Sequence, residues 1–210
     1  LILLIAIVVG MAAGLLLARW QHRSWTPPPL GGVWLVVVGF LPQLIAFYLP
    51  ATREKIPNTW VSAGLVVSQI LLLLFCWINR RLSGIWMLAL GLALNLIVIA
   101  ANGGFMPINP HTASQLEPPE VVDSIPLGSR LGYSKDILLE PAQTHLGCLS
   151  DRFLLPKGLP YQAAFSLGDV VIAVGAFWLI ASQGKSMRTS GKILKEAECY
   201  PQRHTDPPSL

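Results

Sequence analysis

Five stretches of this chain, 1–17, 33–49, 59–78, 84–101 and 166–181, are apolar along nearly their whole length. Most approach the ~20 residues that a helix needs to cross ~30 Å of hydrocarbon. In that medium a lone segment must pair its backbone groups internally, which leaves the helix as its form. Only 12% of the 210 residues are charged, about half of the ~25% usual in a soluble domain. The expected fold is all-α and integral to a membrane. Five transmembrane helices occupy 1–182, with one long extracytoplasmic loop, 102–165, between helices four and five. Residues 183–210 read as a basic, disordered cytoplasmic tail.

The first run is followed, not preceded, by its charges, Arg19 and Arg23. A secretory leader has the opposite order and a small-residue cleavage site, so this run reads as a retained helix. Its Gly10-x-x-x-Gly14 spacing suits close helix packing. Pro27-Pro28-Pro29 stiffens the connector, and Pro42 is expected to kink the second helix because it removes a backbone donor. The fifth run is the shortest.

Basic residues set the orientation. Arg19, Arg23, Arg80, Arg81, Lys185, Arg188, Lys192, Lys195 and Arg203 would share one side. Arg53, Lys55, Arg130, Lys135, Arg152 and Lys157 would share the other, where six acids in the long loop accompany them. The excess of Lys and Arg in short connectors places the N-terminus outside and the C-terminus in the cytoplasm. The net charge of +4 then points to anionic lipid headgroups rather than nucleic acid.

Three amides, Gln43, Gln69 and Asn95, fall within the spans. At ~1.5 Å rise per residue, Gln43 and Asn95 sit roughly 9 Å below the outer boundary and Gln69 a few Å deeper. They read as interhelical hydrogen bonds or, alternatively, as a polar pocket. No ionisable residue lies near the middle of a span, which disfavours proton relays and ion-coupled pumps. Ser166-Leu167-Gly168-Asp169 has capping-box spacing. Asp151-Arg152 reads as a charge pair, tying the loop to itself or to Asp169. His145-x-x-Cys148-x-x-Asp151 offers too few ligands for a metal centre. Cys76, Cys148 and Cys199 would lie in separate compartments, unable to pair. Asn102-Gly103-Gly104 is a turn signal, and Met106-Pro107 begins an extended path.

Asn102-Gly103-Gly104-Phe105-Met106-Pro107 after an apolar helix, Leu149-Ser150-Asp151-Arg152, and Ser166-Leu167-Gly168-Asp169 opening the last helix occur in that order. In this the chain resembles, over Leu1 to Ala181, a family of uncharacterised bacterial multi-pass membrane proteins with Asn-Gly-Gly-x-Met-Pro and Ser-x-Gly-Asp elements. The resemblance implies a bacterial cell membrane and several spans, and brings no activity. No catalytic constellation or cofactor motif stands out. The leading expectation is a non-enzymatic accessory or assembly component, without cofactors, whose outer lobe binds a partner in a larger membrane complex. Its candidate contacts are Asn102, Gly103, Gly104, Met106, Pro107, Asp151, Arg152, Ser166, Gly168 and Asp169. The alternative is a small-solute or lipid transporter or binding protein that uses the Gln43, Gln69 and Asn95 pocket.

Overall fold

The computed structural model describes residues 2–53, 55–156, 158 and 162–182, and the backbone of 185–186. Lys157 and the tail reading, with Cys199 and the basic residues from Arg188 to Arg203, lie outside the described residues.

The chain is mostly helical. Helix α1 (Ile2–Trp20) precedes a short strand β1 (Arg23–Ser24). Helix α2 (Val33–Gln43) runs on as a π-helical turn, Leu44–Tyr48, and α3 (Pro50–Arg53) is a single turn. Two long helices follow, α4 (Asn58–Ile78) and α5 (Ile85–Ala101). Between α5 and the last long helix come β2 (Met106–Ile108), α6 (Pro110–Ala113), α7 (Pro119–Asp123), β3 (Asp136–Leu138), a 3-10 turn at Gly147–Leu149, β4 (Phe153–Leu154) and β5 (Ala164–Phe165). Helix α8 (Leu167–Ala181) and β6 (Lys185–Ser186) complete the described chain, with β6 paired antiparallel to β1.

Among the described residues two helices, α1 with 19 residues and α4 with 21, are long and apolar enough to cross a membrane, and three apolar helices are shorter. The elements fall within a few residues of the apolar runs. Helix α1 continues past Leu17 to Trp20, and Ser166 caps α8 rather than beginning it. Pro42 is carried inside α2, and the helix widens into the π-turn two residues later. There the Leu49 amide reaches back to the Leu44 carbonyl at 3.1 Å.

The helices pack in the order α1–α8–α5–α4–α2. Small residues set the first contacts. A Cβ on Gly10 would come within 3.1 Å of the Phe177 carbonyl oxygen, and one on Gly14 within 2.7 Å of the Trp25 ring nitrogen. That nitrogen donates to the Ile180 carbonyl at 3.2 Å. The α5–α8 contact is closer still. Gly84 faces Gly175 and Gly91 faces Gly168, so two antiparallel helices meet backbone to backbone at seven-residue intervals. Below the mid-height of the bundle, Leu35, Leu72, Phe75, Ile85, Leu92 and Leu179 form the core. Asn79 closes this end: its amide donates to the Gly31 carbonyl at 2.9 Å and accepts from the Gly31 amide at 2.8 Å.

Residues 102–156 and 162–165 form a lobe on the other end, with a core of its own: Ile108, Ala113, Val122, Leu131 and Leu138. Strands β2 and β3 pair in parallel, Met106 opposite Asp136 and Ile108 opposite Leu138. Alternation along β3 sends Leu138 into the lobe and Ile137 against Ala46, Val61, Leu65 and Phe105. Removing Leu138 from water is worth ~2 kcal/mol. Met106 and Leu149 pack on Val98 and Ile99 of α5. The apolar cluster at Phe153–Leu155 divides: Leu155 is buried, whereas Phe153 is 43% exposed. The Arg130 side chain bonds the Ser134 carbonyl and lies over the rings of Phe47 and Phe105, fixing the lobe to the π-turn.

Candidate functional site

The end of α5 shows how the lobe is anchored. Asn102 caps the helix, and its side-chain NH2 donates to the Val98 carbonyl at 2.8 Å and to the His145 carbonyl at 2.9 Å. Its side-chain oxygen accepts from the His145 amide at 3.0 Å. Gly103 and Gly104 then take left-handed φ values of 75° and 87°, which Gly adopts without steric cost. The Gly104 amide returns to the Ile99 carbonyl at 2.8 Å. A Cβ on Gly104 would come within 2.5 Å of the Ser62 side chain. Met106 and Pro107 are buried, and the Pro107 carbonyl accepts from the Asp151 amide at 3.1 Å.

The start of α8 is a complete capping box. The Asp169 amide donates to Ser166 Oγ at 3.1 Å, and the Ser166 amide donates to Asp169 Oδ2 at 3.0 Å. Asn95 of α5 joins it, its NH2 donating to Asp169 Oδ1 at 2.9 Å. The Ser166 hydroxyl has one proton and two acceptors at 3.0 Å, Asn95 Oδ1 and Asp169 Oδ2. Gly168 is required because a Cβ there would overlap the Asn95 amide. Ser166→Ala is expected to cost ~1 kcal/mol through loss of the cap. Thermal unfolding of the variant in detergent checks this, with Leu167→Ala as a reference outside the box.

Between the helices and the lobe lies a cavity of about 420 Å³. Every long helix reaches it: Ile2 from α1, Phe40 from α2, Leu72 from α4, Leu88 from α5 and Ile172 from α8. Its body is apolar. Its polar wall comprises Gln43, Tyr48, Gln69, Asn95, Lys135 and Asp169. Leu155, Ala164 and Phe165 of the lobe close over it. The three amides thus share one cavity, but they do not share one role. Gln43 donates to Ser68 of α4 at 2.6 Å, and Asn95 is held in the box. Gln69 is 9% exposed, and its Oε1 is enclosed with no partner among the described residues. Leaving such an acceptor unsatisfied costs ~1–3 kcal/mol.

Lys135 is the site residue that sequence reasoning missed. It stands next to β3, far along the chain from any long helix, and the parallel β2–β3 pairing carries it to the cavity. Its ammonium pairs with Asp136 at 3.2 Å and, in closer contact, with Asp151. Asp151 is fully buried, with Oδ1 unpartnered among the described residues. The Asp151 carboxyl is raised to about 7: burial pushes it up most, Lys135 pulls against that, and Asp136 and Asp169 add to the rise. Burial pulls Lys135 down, but the three acids raise it by more, so it stays charged. The expected Asp151–Arg152 pair is therefore replaced by Asp151–Lys135. The Arg152 guanidinium instead lies 5.8 Å from the Phe153 ring centre. His145, Cys148 and Asp151 do not gather: Cys148 is exposed while Asp151 is turned inward.

No curated protein and no solved structure matches the chain. Residues 29–181, from the connector after α1 to the last residue of α8, match the model of DUF5317, a family of unknown function, and the chain belongs to that family.

Proposed function

We propose that this protein is a multi-pass membrane protein that holds an amphiphile, a lipid or lipid-like solute, in the cavity beneath its lobe. One observation carries the reading: a single cavity joins an apolar body, lined by all five long helices, to a polar wall at the lobe end. Its volume of about 420 Å³ falls within the ~300–1,000 Å³ of small-molecule sites. The outer faces of the helices support the membrane setting. Leu4, Leu16, Val37, Ile70, Leu90 and Ile97 are each at least 51% exposed, and exposed apolar side chains on every long helix suit a lipid face better than water. Trp20, Trp60, Trp77 and Trp178 are more than half exposed near helix ends, where interfacial aromatic belts form. In this reading α1, α2, α4, α5 and α8 each cross a bacterial cell membrane, with the N-terminus and the lobe outside and the C-terminus inside.

Mass spectrometry of the intact protein released from a mild detergent tests the function. One amphiphile retained per chain is the expected result; a protein that is empty after the gentlest extraction overturns it. Topology is tested separately. Reporter fusions after Arg81 and Ala181 are expected to read cytoplasmic, and one at Ser129 external, with a cytoplasmic signal at Ser129 as the contrary outcome.

A second reading, an accessory component docking through its lobe, draws on Val121, Leu127, Leu146 and Phe153. These are 43–48% exposed on the lobe. A stoichiometric partner copurifying with the full chain, with the cavity empty, favours it over the first.

A further inference from the structure

A second concave feature lies on the outer face of α4 and α5, at the end away from the lobe. The short turn 79–84 makes these helices antiparallel neighbours. Residues three and four apart share one helix face. Leu73, Cys76 and Trp77 do so on α4, and Trp86, Ala89 and Ala93 on α5. Together they line a groove of about 390 Å³. Its small side chains, Cys76, Ala89 and Ala93, leave room that leucines would fill. From Trp86 to Ala93 the groove runs ~10 Å along the helix, at ~1.5 Å rise per residue. Trp77 and Trp86, one from each helix, stand at the turn end, 58% and 60% exposed. The groove therefore opens on a face that lipid would cover.

The turn end is cationic. Arg80 and Arg81 are both exposed, and the Arg80 guanidinium lies 4.7 Å from the centre of the Trp77 ring. That contact holds a cation at the mouth of the groove. Among the described residues no carboxylate pairs with either arginine. The connector before α2 is tied to the same turn through Gly31 and Asn79. Stretches 19–32 and 79–84 together hold Arg19, Arg23, Arg80 and Arg81 and no acid. An apolar slot that ends at uncompensated guanidinium groups fits an acyl chain joined to an anion. Guanidinium binds phosphate through paired N–H···O bonds, and basic residues beside membrane helices attract anionic headgroups. The two indoles suit the boundary between chain and head.

We infer that the α4–α5 groove binds a phospholipid of net negative charge, with one acyl chain along Leu73, Ala89 and Ala93 and its phosphate on Arg80 and Arg81. The inference rests on the membrane setting proposed above and is independent of the cavity.

The test uses the full chain purified in a mild nonionic detergent, so that the part arginines play in orienting a chain across a membrane does not enter. Dioleoyl phosphatidylglycerol and dioleoyl phosphatidylcholine share their acyl chains and differ in head charge. Mass spectrometry of the intact complex counts each lipid retained. One phosphatidylglycerol per chain is expected, held about tenfold more tightly than phosphatidylcholine, as two arginines at a lipid surface would give. Arg80→Gln with Arg81→Gln is expected to melt like the parent and to bring that ratio close to one. Ala89→Leu is expected to fill the groove and to weaken phosphatidylglycerol by a similar factor with both arginines in place. Equal retention of the two lipids by the parent overturns the inference. So does a preference that survives the double arginine change, or Ala89→Leu binding as the parent does. Each of these leaves the cavity reading standing, whereas the reporter fusions decide the membrane setting on their own.

Discussion

Gly175→Val is expected to force α5 and α8 apart and to lower stability by about 3 kcal/mol, the upper end of ordinary overpacking costs. At Gly175 a Cβ would overlap the backbone of Leu88. At Gly91 it would come within 2.6 Å of the Gly168 carbonyl, and at Gly84 within 2.5 Å of the Gly175 carbonyl. These neighbours are backbone atoms, so no rotamer change relieves the clash and a helix must move. The movement would open the wall that holds Asn95 and Asp169, so bound amphiphile should be lost with stability. Gly39 is the contrast. Its Cβ would meet Leu72 side-chain atoms at 3.5 Å, an ordinary contact. Gly39→Ala is expected to be neutral or stabilising by up to ~1 kcal/mol, as for Gly to Ala in a helix. Thermal unfolding of both variants in one detergent decides the matter. Equal losses would mean that the glycines on α5 and α8 are not the closest point of the bundle.

The bundle's elements were legible because hydrophobicity and caps are local. The apolar runs gave each long helix to within a few residues, and Ser166-x-x-Asp169 gave the start of α8. The Gly10 and Gly14 spacing marked the face that meets α8. The α5–α8 seam had a readable signal too, glycines seven apart at Gly84 and Gly91 and again at Gly168 and Gly175. It becomes informative only once the two helices are known to be antiparallel neighbours. The partner of Asp151 was not legible. Adjacent residues in extended chain point to opposite sides, so Arg152, next in sequence, is poorly placed to pair with it. Lys135 reaches it through a non-local pairing of strands only three residues long. The absence of ionisable residues near the middle of the apolar runs was a true statement about those runs, with Asp169 at the start of the last one. It did not extend to a lobe lysine lowered into the cavity from above. The resemblance was read over Leu1 to Ala181; the family model, of unknown function, covers residues 29–181.

Removing Lys135 is expected to have the largest electrostatic effect in the molecule. Lys135→Met leaves Asp151 buried without its cation; above the raised pKa of that carboxyl, where the parent holds a charged pair, breaking one half of it costs ~3–5 kcal/mol. The double variant Lys135→Met with Asp151→Leu should recover most of that loss, since replacing both charges by apolar groups is often neutral. The pH dependence follows from the same carboxyl. Burial, helped by Asp136 and Asp169 and opposed by Lys135, raises Asp151 from 3.8 to about 7 in the folded protein. Between those values the folded state holds a proton that the unfolded chain has lost, so stability falls as pH rises from about 4 to 7. Lys135 is raised as well; its contribution is complete below its unfolded value and is lost only in strong alkali. Asp151→Asn should therefore flatten the acid-to-neutral slope. In Lys135→Met the slope should extend to higher pH, because the cation that pulled the carboxyl down is gone. Melting temperatures of the four proteins across pH 4–9 make the comparison. A parent whose stability rises from pH 4 to 7 would show instead that Asp151 ionises at an ordinary value and that Lys135 outweighs burial.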